Sequence, residues 1–248
     1  MKVLPSFAFF MSCLICISLA ASSAAYAAST APAAAPTAKP SPTPAPPASA
    51  TESKFIDAVT KDLQNRFATT TLAAAGGYFQ YTDEDETGAI SWVNTSYWKS
   101  DPQHPSQLWY DVHGRLIGAD WSVLQADSPS KPTVWGVDAS RWISFRAHVH
   151  FGVKSVTGVQ FGGAGAKSMA LVKGSVANPT AQDVVNLGKT DRWKILRIPA
   201  PRNAADVAFV FPFPAVWDLQ VWLVPNPLGA FTEVNPNVKP SANAKPQD

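Results

Sequence analysis

From Gly77 onward the chain is a succession of short apolar runs, rich in aromatic and β-branched side chains and punctuated by Gly, Pro, Asn and Asp. Runs this short cannot form stable helices. Their period-two alternation is that of strands with one buried face, so this part of the chain must stack sheets or curl one sheet on itself. The pattern predicts strands at Tyr78–Thr82, Ala89–Val93, Gln107–Val112, Arg115–Leu124, Thr133–Val137, Phe145–Val153, Ser168–Val172, Lys194–Ile198, Asp206–Phe213 and Val216–Val224. A mainly β domain follows, a sandwich or partly closed barrel of about nine or ten strands. Asp111 and Gly114 bracket a turn between two of these runs, with the spacing of a type I turn and a following bulge, and so predict a hairpin. The glycine-rich stretch Gly162-Gly163-Ala164-Gly165 has no following Lys or helix signal and reads as a flexible connection.

Two segments break the pattern. Phe55, Ile56, Val59, Leu63 and Phe67 recur at helical spacing ahead of Gly76-Gly77, with Ser53 as the expected N-cap, and predict an N-terminal helix. Thr180-Ala181-Gln182-Asp183 is a capping sequence for one short inserted helix carrying Val184, Val185 and Leu187 and ending at Gly188.

The ends differ from the middle. Lys2, the apolar stretch Phe7–Leu19 and the small residues of Ala25-Tyr26-Ala27 have the layout of a signal peptide over residues 1–27, so the chain is expected to be exported, to the periplasm or beyond the cell. Both cysteines, Cys13 and Cys16, fall in that stretch, which leaves the processed chain without a thiolate nucleophile, a disulfide or a sulfur-based metal site, and without a transmembrane segment. Residues 28–50 hold seven prolines and nine alanines and read as a disordered, polyproline-type linker. A single β-rich domain is expected over 51–238, followed by a disordered polar tail over 239–248.

The chemistry is concentrated in Arg146-Ala147-His148-Val149-His150. On one extended strand, alternation places His148 and His150 on the same side, their Cα atoms about 6–7 Å apart, so that two imidazole nitrogens can converge on one divalent ion such as zinc or copper. Arg146 shares that face in the same reading, and its guanidinium suits an anionic ligand better than a bare cation. Cupins also carry His-x-His on a strand. This chain departs from their pattern, with Lys154 and Ser155 where a ligating Glu would follow and Trp142 where a glycine would precede. His113, at the expected hairpin tip, is the candidate third ligand. His104 lies in a loop, and the acidic run Asp83–Glu86 reads as a solvated turn. Asp218 and Trp222, in an otherwise apolar strand, are candidates for ligand binding.

A formal charge of +2 with no Lys/Arg cluster excludes a nucleic-acid partner. The absence of a phosphate-cradling glycine loop or a Gly-x-Ser-x-Gly elbow excludes a nucleotide cofactor and an acyl-transfer nucleophile of those types. Nine tryptophans supply a core and, for two or three of them, a stacking surface for sugars or other flat ligands. The functional expectation is an exported domain that binds a small molecule or carbohydrate and carries a His-x-His divalent metal site. The alternatives are a metal-dependent extracytoplasmic enzyme using His148 and His150, and a structural or partner-binding envelope protein.

Overall fold

The computed structural model describes residues 43–245. The expected signal peptide, most of the linker and the last three residues lie outside them. Nine strands form two antiparallel sheets. The larger contains β1 (Phe79–Gln80), β2 (Ile90–Val93), β3 (Gln107–Tyr110), β4 (Leu116–Leu124), β5 (Ile143–Phe145) and β9 (Val216–Trp222), in the order β1-β2-β3-β4-β9-β5. The smaller contains β6 (His148–Ser155), β7 (Gly158–Gly165) and β8 (Val207–Phe213), in the order β7-β6-β8. The protein is mainly β, and among the described residues neither sheet closes into a barrel.

Each sheet buries one face under helices. Helix α1 (Ala50–Phe67) presents Phe55, Val59, Leu63 and Phe67 to Leu108, Tyr110, Ala119, Trp121, Leu219 and Val221, the alternate residues of β3, β4 and β9. Phe55 meets Trp121 edge-on at 5.6 Å and stacks on Trp135 at the same distance. On β6, Val149, Phe151 and Val153 are covered by α3 (Ala166–Leu171), α4 (Ala181–Leu187) and α5 (Trp193–Leu196), with Phe151 stacked on Trp193 at 5.3 Å. Burial of each such large side chain contributes about 1.5–3 kcal/mol. The two remaining faces meet through Tyr81, Val93, Phe211, Phe213 and Val216. There Phe79 meets Phe209 at 5.5 Å and Trp98 meets Phe213 at 4.8 Å.

The β3–β4 hairpin forms as its sequence requires: the Gly114 amide donates to the Asp111 carbonyl at 2.9 Å, and Gly114 takes φ +72°. Several other expectations are corrected. The N-cap of α1 is Ser49, four residues before Ser53, because Glu52 completes a capping box with it. A second helix, α2 (Thr70–Ala75), follows directly, so α-helices among the described residues number five where two were expected. Ser168–Leu171 and Lys194–Leu196, the larger parts of two expected strands, lie in helices α3 and α5. The first is rich in Ala, Lys, Met and Leu, and the second closes with Arg197 at φ +54°. Thr133–Val137 is a turn, because Trp135 and Gly136 both take positive φ, which no strand accommodates. The glycine stretch 162–165 is the end of β7. It is extended because β6 pairs with it along its whole length, from Ser155 opposite Gly158 to His148 opposite Gly165.

Residues 45–47 and 241–245, which fall in the expected linker and tail, hydrogen-bond to the domain. The Ala45 amide donates to the Leu228 carbonyl at 2.8 Å, and Arg141 holds the carbonyls of Pro46 and Pro47 at 3.0 and 3.1 Å. At the other end Ser241 donates to buried Glu84, the Lys245 amide donates to the Glu84 carbonyl at 2.8 Å, and Lys245 pairs with Asp83. The acidic run is therefore the dock for residues 241–245, because its carboxylates satisfy polar groups the tail would otherwise offer to water.

Close packing across β3 and β4 yields a simple prediction. A Cβ on Gly118 would fall 2.1 Å from Cε3 of Trp109, whose indole is fixed by a 3.0 Å bond to Asp120. Gly118→Ala should therefore destabilise the domain by about 1–3 kcal/mol in urea denaturation. A change within a few tenths of a kcal/mol would show that the Trp109 pocket is looser than this packing.

Candidate functional site

The run Phe145–Val153 is not one strand. Phe145 ends β5 and pairs with Val216 in the larger sheet, and the chain crosses to the smaller sheet at Arg146-Ala147 before β6 begins at His148. Arg146 thus stands at a corner, exposed, and its backbone carbonyl is what reaches the site. Beyond the corner the alternation holds. Val149, Phe151 and Val153 turn to the helices, and His148 and His150 turn to the space between the sheets.

The two imidazoles converge. Their Nε2 atoms are 2.9 Å apart, and the ring centroids 4.7 Å. His148 Nδ1 lies 2.7 Å from the Arg146 carbonyl oxygen. A carbonyl only accepts, so Nδ1 of His148 carries the proton, and its Nε2, when the ring is neutral, is a lone pair aimed at His150. Burial pushes both rings below the usual imidazole range. For His150, burial and the neighbouring His148 together lower it to about 3. Two neutral imidazoles therefore face each other at neutral pH.

Aromatic rings line one side of the pair. Phe213 stacks on His148 at 4.5 Å, Phe211 stacks on His150 at 5.6 Å, and Tyr81 meets His150 edge-on at 4.6 Å. On the β7 side the residues paired with them are both glycine, Gly165 opposite His148 and Gly163 opposite His150.

Behind Tyr81 lies a second polar group that the sequence did not connect to the first. Asp120 and Asp218, both buried, project from neighbouring strands on the same face: Asp218 opposes Ser122, and Asp120 opposes Gln220. Ser122 donates to Asp218 at 2.6 Å and contacts Ser106 at 2.7 Å. Trp109 donates to one oxygen of Asp120, whose other oxygen has no partner. The Tyr81 hydroxyl donates to Gln107. Burial drives all three acids toward their neutral forms: Asp218 is pushed up to about 7, while Asp120 and Tyr81 are raised well above their ordinary values, with the charges of the neighbouring acids adding to the effect.

The remaining candidates are dispersed. His113 sits at the exposed β3–β4 turn with its amide on Asp111, and among the described residues no third His, Cys, Asp or Glu completes a metal-holding set with the pair. His104 pairs with Asp101 at 2.7 Å. Trp222 is buried edge-on to Trp109, its indole N–H donated to the Thr232 carbonyl at 2.7 Å, which leaves no face for a ligand. None of the nine tryptophans is exposed. Two surface hollows, of about 460 Å³ beside Glu52 and Arg141 and about 200 Å³ beside Glu86 and Val238, are lined by residues away from the histidines. Asp120 was missed at the sequence level, although it stands with Gly118 and Ser122 on one face of a strand whose other face is apolar. Comparison with family models, with curated proteins and with solved structures finds no match to this chain.

Proposed function

We propose that this is an exported small-molecule-binding β domain that holds a divalent transition-metal ion on Nε2 of His148 and His150. The observation that carries the reading is the pairing of a 2.9 Å Nε2–Nε2 approach with the Arg146 carbonyl on His148 Nδ1. Metal-ligating histidines characteristically donate their other ring N–H to a carbonyl, which fixes the tautomer and frees the opposite nitrogen for the ion. A tetrahedral ion with bonds of about 2.0–2.1 Å holds two such nitrogens about 3.3–3.4 Å apart, a few tenths of an ångström from the spacing here. Because neither ring is protonated near neutral pH, no proton need be displaced from His148 Nε2. On His150 the proton moves to Nδ1, the ring edge that faces Gly163 of β7.

Titration of the purified protein with Co²⁺ or Zn²⁺, followed by calorimetry and by the visible spectrum of Co²⁺, tests the reading. One equivalent should bind saturably to the wild type and not to the His148→Ala/His150→Ala variant, while both proteins keep the same near-ultraviolet circular dichroism. Equal binding to both proteins, or none to the wild type, overturns it.

A further inference from the structure

We propose that the outer edge of β7 is a dimerisation surface. A second copy of this chain adds its own β7 there, antiparallel about a dyad, so that the two smaller sheets become one.

A strand at the end of a sheet leaves a row of amides and carbonyls that will pair with another chain unless the strand is short, charged, bulged or broken by proline. Four strands end the two sheets, and three are protected in these ways. β1 has two residues and β5 three. β8 carries Pro212, which has no N–H to offer, and its pairing with β6 shifts register between Gly152 and Val153. β7 has no such protection. Its eight residues hold no charge and no proline and pair with β6 without a register shift, and no strand among the described residues lies on their other side. Its surroundings are apolar too. The three most exposed large apolar side chains among the described residues are Val156 in the β6–β7 turn, Leu171 in α3, which follows β7 directly, and Ile195 in α5. Just beyond α5, Ile198 lies over β7, its Cδ1 3.2 Å from where a Cβ on Gly162 would fall.

The occupant follows from the sequence of the chain and of the strand. Between Ala28 and Pro42 prolines stand at 32, 36, 40 and 42, so no more than four consecutive residues there could donate at every position, against the eight of β7. β7 itself is self-complementary. A dyad through Gly162 sets Phe161 opposite Gly163 of the second copy, Val159 opposite Gly165 and Gln160 opposite Ala164, so each larger side chain meets a small residue. Val159, Phe161, Gly163 and Gly165 share the face of His148 and His150, while Gln160 and Ala164 share the helix-covered face, so every pair meets on one side as an antiparallel ladder requires. The same pairing accounts for two glycines that the single chain does not need. A Cβ on Gly162 would fall 2.8 Å from the Phe151 ring, but one on Gly165 would meet no atom within 4 Å and one on Gly163 none nearer than 3.5 Å. Neither Gly163 nor Gly165 takes a positive φ. Glycine inside a strand without such a cause marks a place where another backbone comes close.

Sedimentation velocity of the full chain as purified tests the surface. The wild type should pass from monomer to dimer between about 1 and 500 µM, the range of a small interface. Gly165→Lys sets an ammonium group against Val159 of the second copy at a position exposed in the single chain, so it should weaken association about tenfold or more with the near-ultraviolet circular dichroism unchanged. Oxidation of the double variant Val159→Cys/Gly165→Cys tests the register. Opposed residues bring their Cβ atoms to about 4.5–5.5 Å, within reach of a disulfide, while the same two positions within one strand are about 20 Å apart. The double variant should therefore give a reducible covalent dimer. The two single variants and the wild type, which control for Cys13 and Cys16, should not. A wild type that stays monomeric over the whole range overturns the proposal, as does a Gly165→Lys variant that dimerises like the wild type. Cross-linking of the double variant no greater than that of the single variants overturns the dyad through Gly162.

Discussion

Replacing Asp218 with Asn should make the domain more stable at pH 8 than the wild type by roughly 2–4 kcal/mol, and the two should converge near pH 4. The carboxyl is buried beside Asp120, and its strongest partner is the hydroxyl of Ser122. Burial raises its folded pKa to about 7 from an ordinary 3.8. A carboxyl raised in this way binds more protons folded than unfolded between those two values. Its stability contribution is intact below pH 4 and is lost as pH climbs through 7. Asn keeps the acceptor for Ser122 and has no charge to bury. Asp120, raised for the same reasons, predicts the same direction for Asp120→Asn, with a smaller gain because the amide places a donor where one oxygen already lacks a partner.

The histidine pair opposes this slope. Both rings have folded pKa values below the ordinary 6.5, so the stability they contribute is present above 6.5 and lost as pH falls below it, toward about 3 for His150. Between about pH 4 and 6.5 the two effects offset, and the wild type should be nearly flat there before falling on the alkaline side. Asp218→Asn removes one arm and leaves that of Asp120, so its advantage over the wild type should grow from pH 4 to about 7 and hold level beyond that. Urea denaturation at pH 4, 6.5 and 8 checks both shapes. A wild type as stable at pH 8 as at pH 6 would show that the carboxyls are hydrated in the folded protein.

The contrast between the two polar groups bears on how far the sequence could be read. Alternation placed His148 and His150 on one side correctly, because a strand with one buried face has a single acceptable register. It ran one residue pattern through Arg146-Ala147, however, where the chain changes sheets. The alternation of side chains persists across such a corner, while their surroundings do not. The same limit hid β7. Glycine has no side chain to alternate and little intrinsic strand preference, so Gly162–Gly165 is extended only because β6 offers a ladder, which is a tertiary cause. In α5 the apolar spacing of Trp193, Ile195 and Leu196 fits a strand as well as one helical turn, and packing of Trp193 on Phe151 decides for the helix. Asp218 was legible as an unusual carboxylate. Its proximity to Asp120 depends on the pairing of β4 with β9, nearly a hundred residues apart in the chain, and no local pattern encodes that.

Truncating Glu52 to Ala should cost about 3–5 kcal/mol, the largest effect expected of any single change here. Glu52 is buried with Arg141, at 3.0 Å between Oε1 and Nε, where α1 begins. The same carboxylate accepts from the amides of Ser49 at 2.8 Å and Asp138 at 3.2 Å. The guanidinium lies over Phe231 at 4.8 Å and holds the carbonyls of Pro46 and Pro47. One side chain thus caps a helix, neutralises a buried cation and helps fasten the preceding segment. Its loss leaves a desolvated charge and two amides without acceptors, which is why the cost exceeds that of a surface ion pair. Arg141, the leading cause, holds the Glu52 carboxyl near 2, well below an ordinary 4.5. That stability is present above 4.5 and lost as pH falls toward 2, so the penalty of Glu52→Gln should shrink steadily on acidification below pH 4. Arg141→Met alone should be about as harmful as Glu52→Ala, since it strands the opposite charge. The double variant Glu52→Leu/Arg141→Met should recover part of the loss, because both charges leave together while the Ser49 and Asp138 amides and the Pro46 and Pro47 carbonyls still lose their partners. Thermal or urea unfolding of the wild type, Glu52→Leu, Arg141→Met and the double variant measures the coupling directly. If the two single losses simply add in the double variant, the ion pair is not what holds α1 to the 138–141 turn.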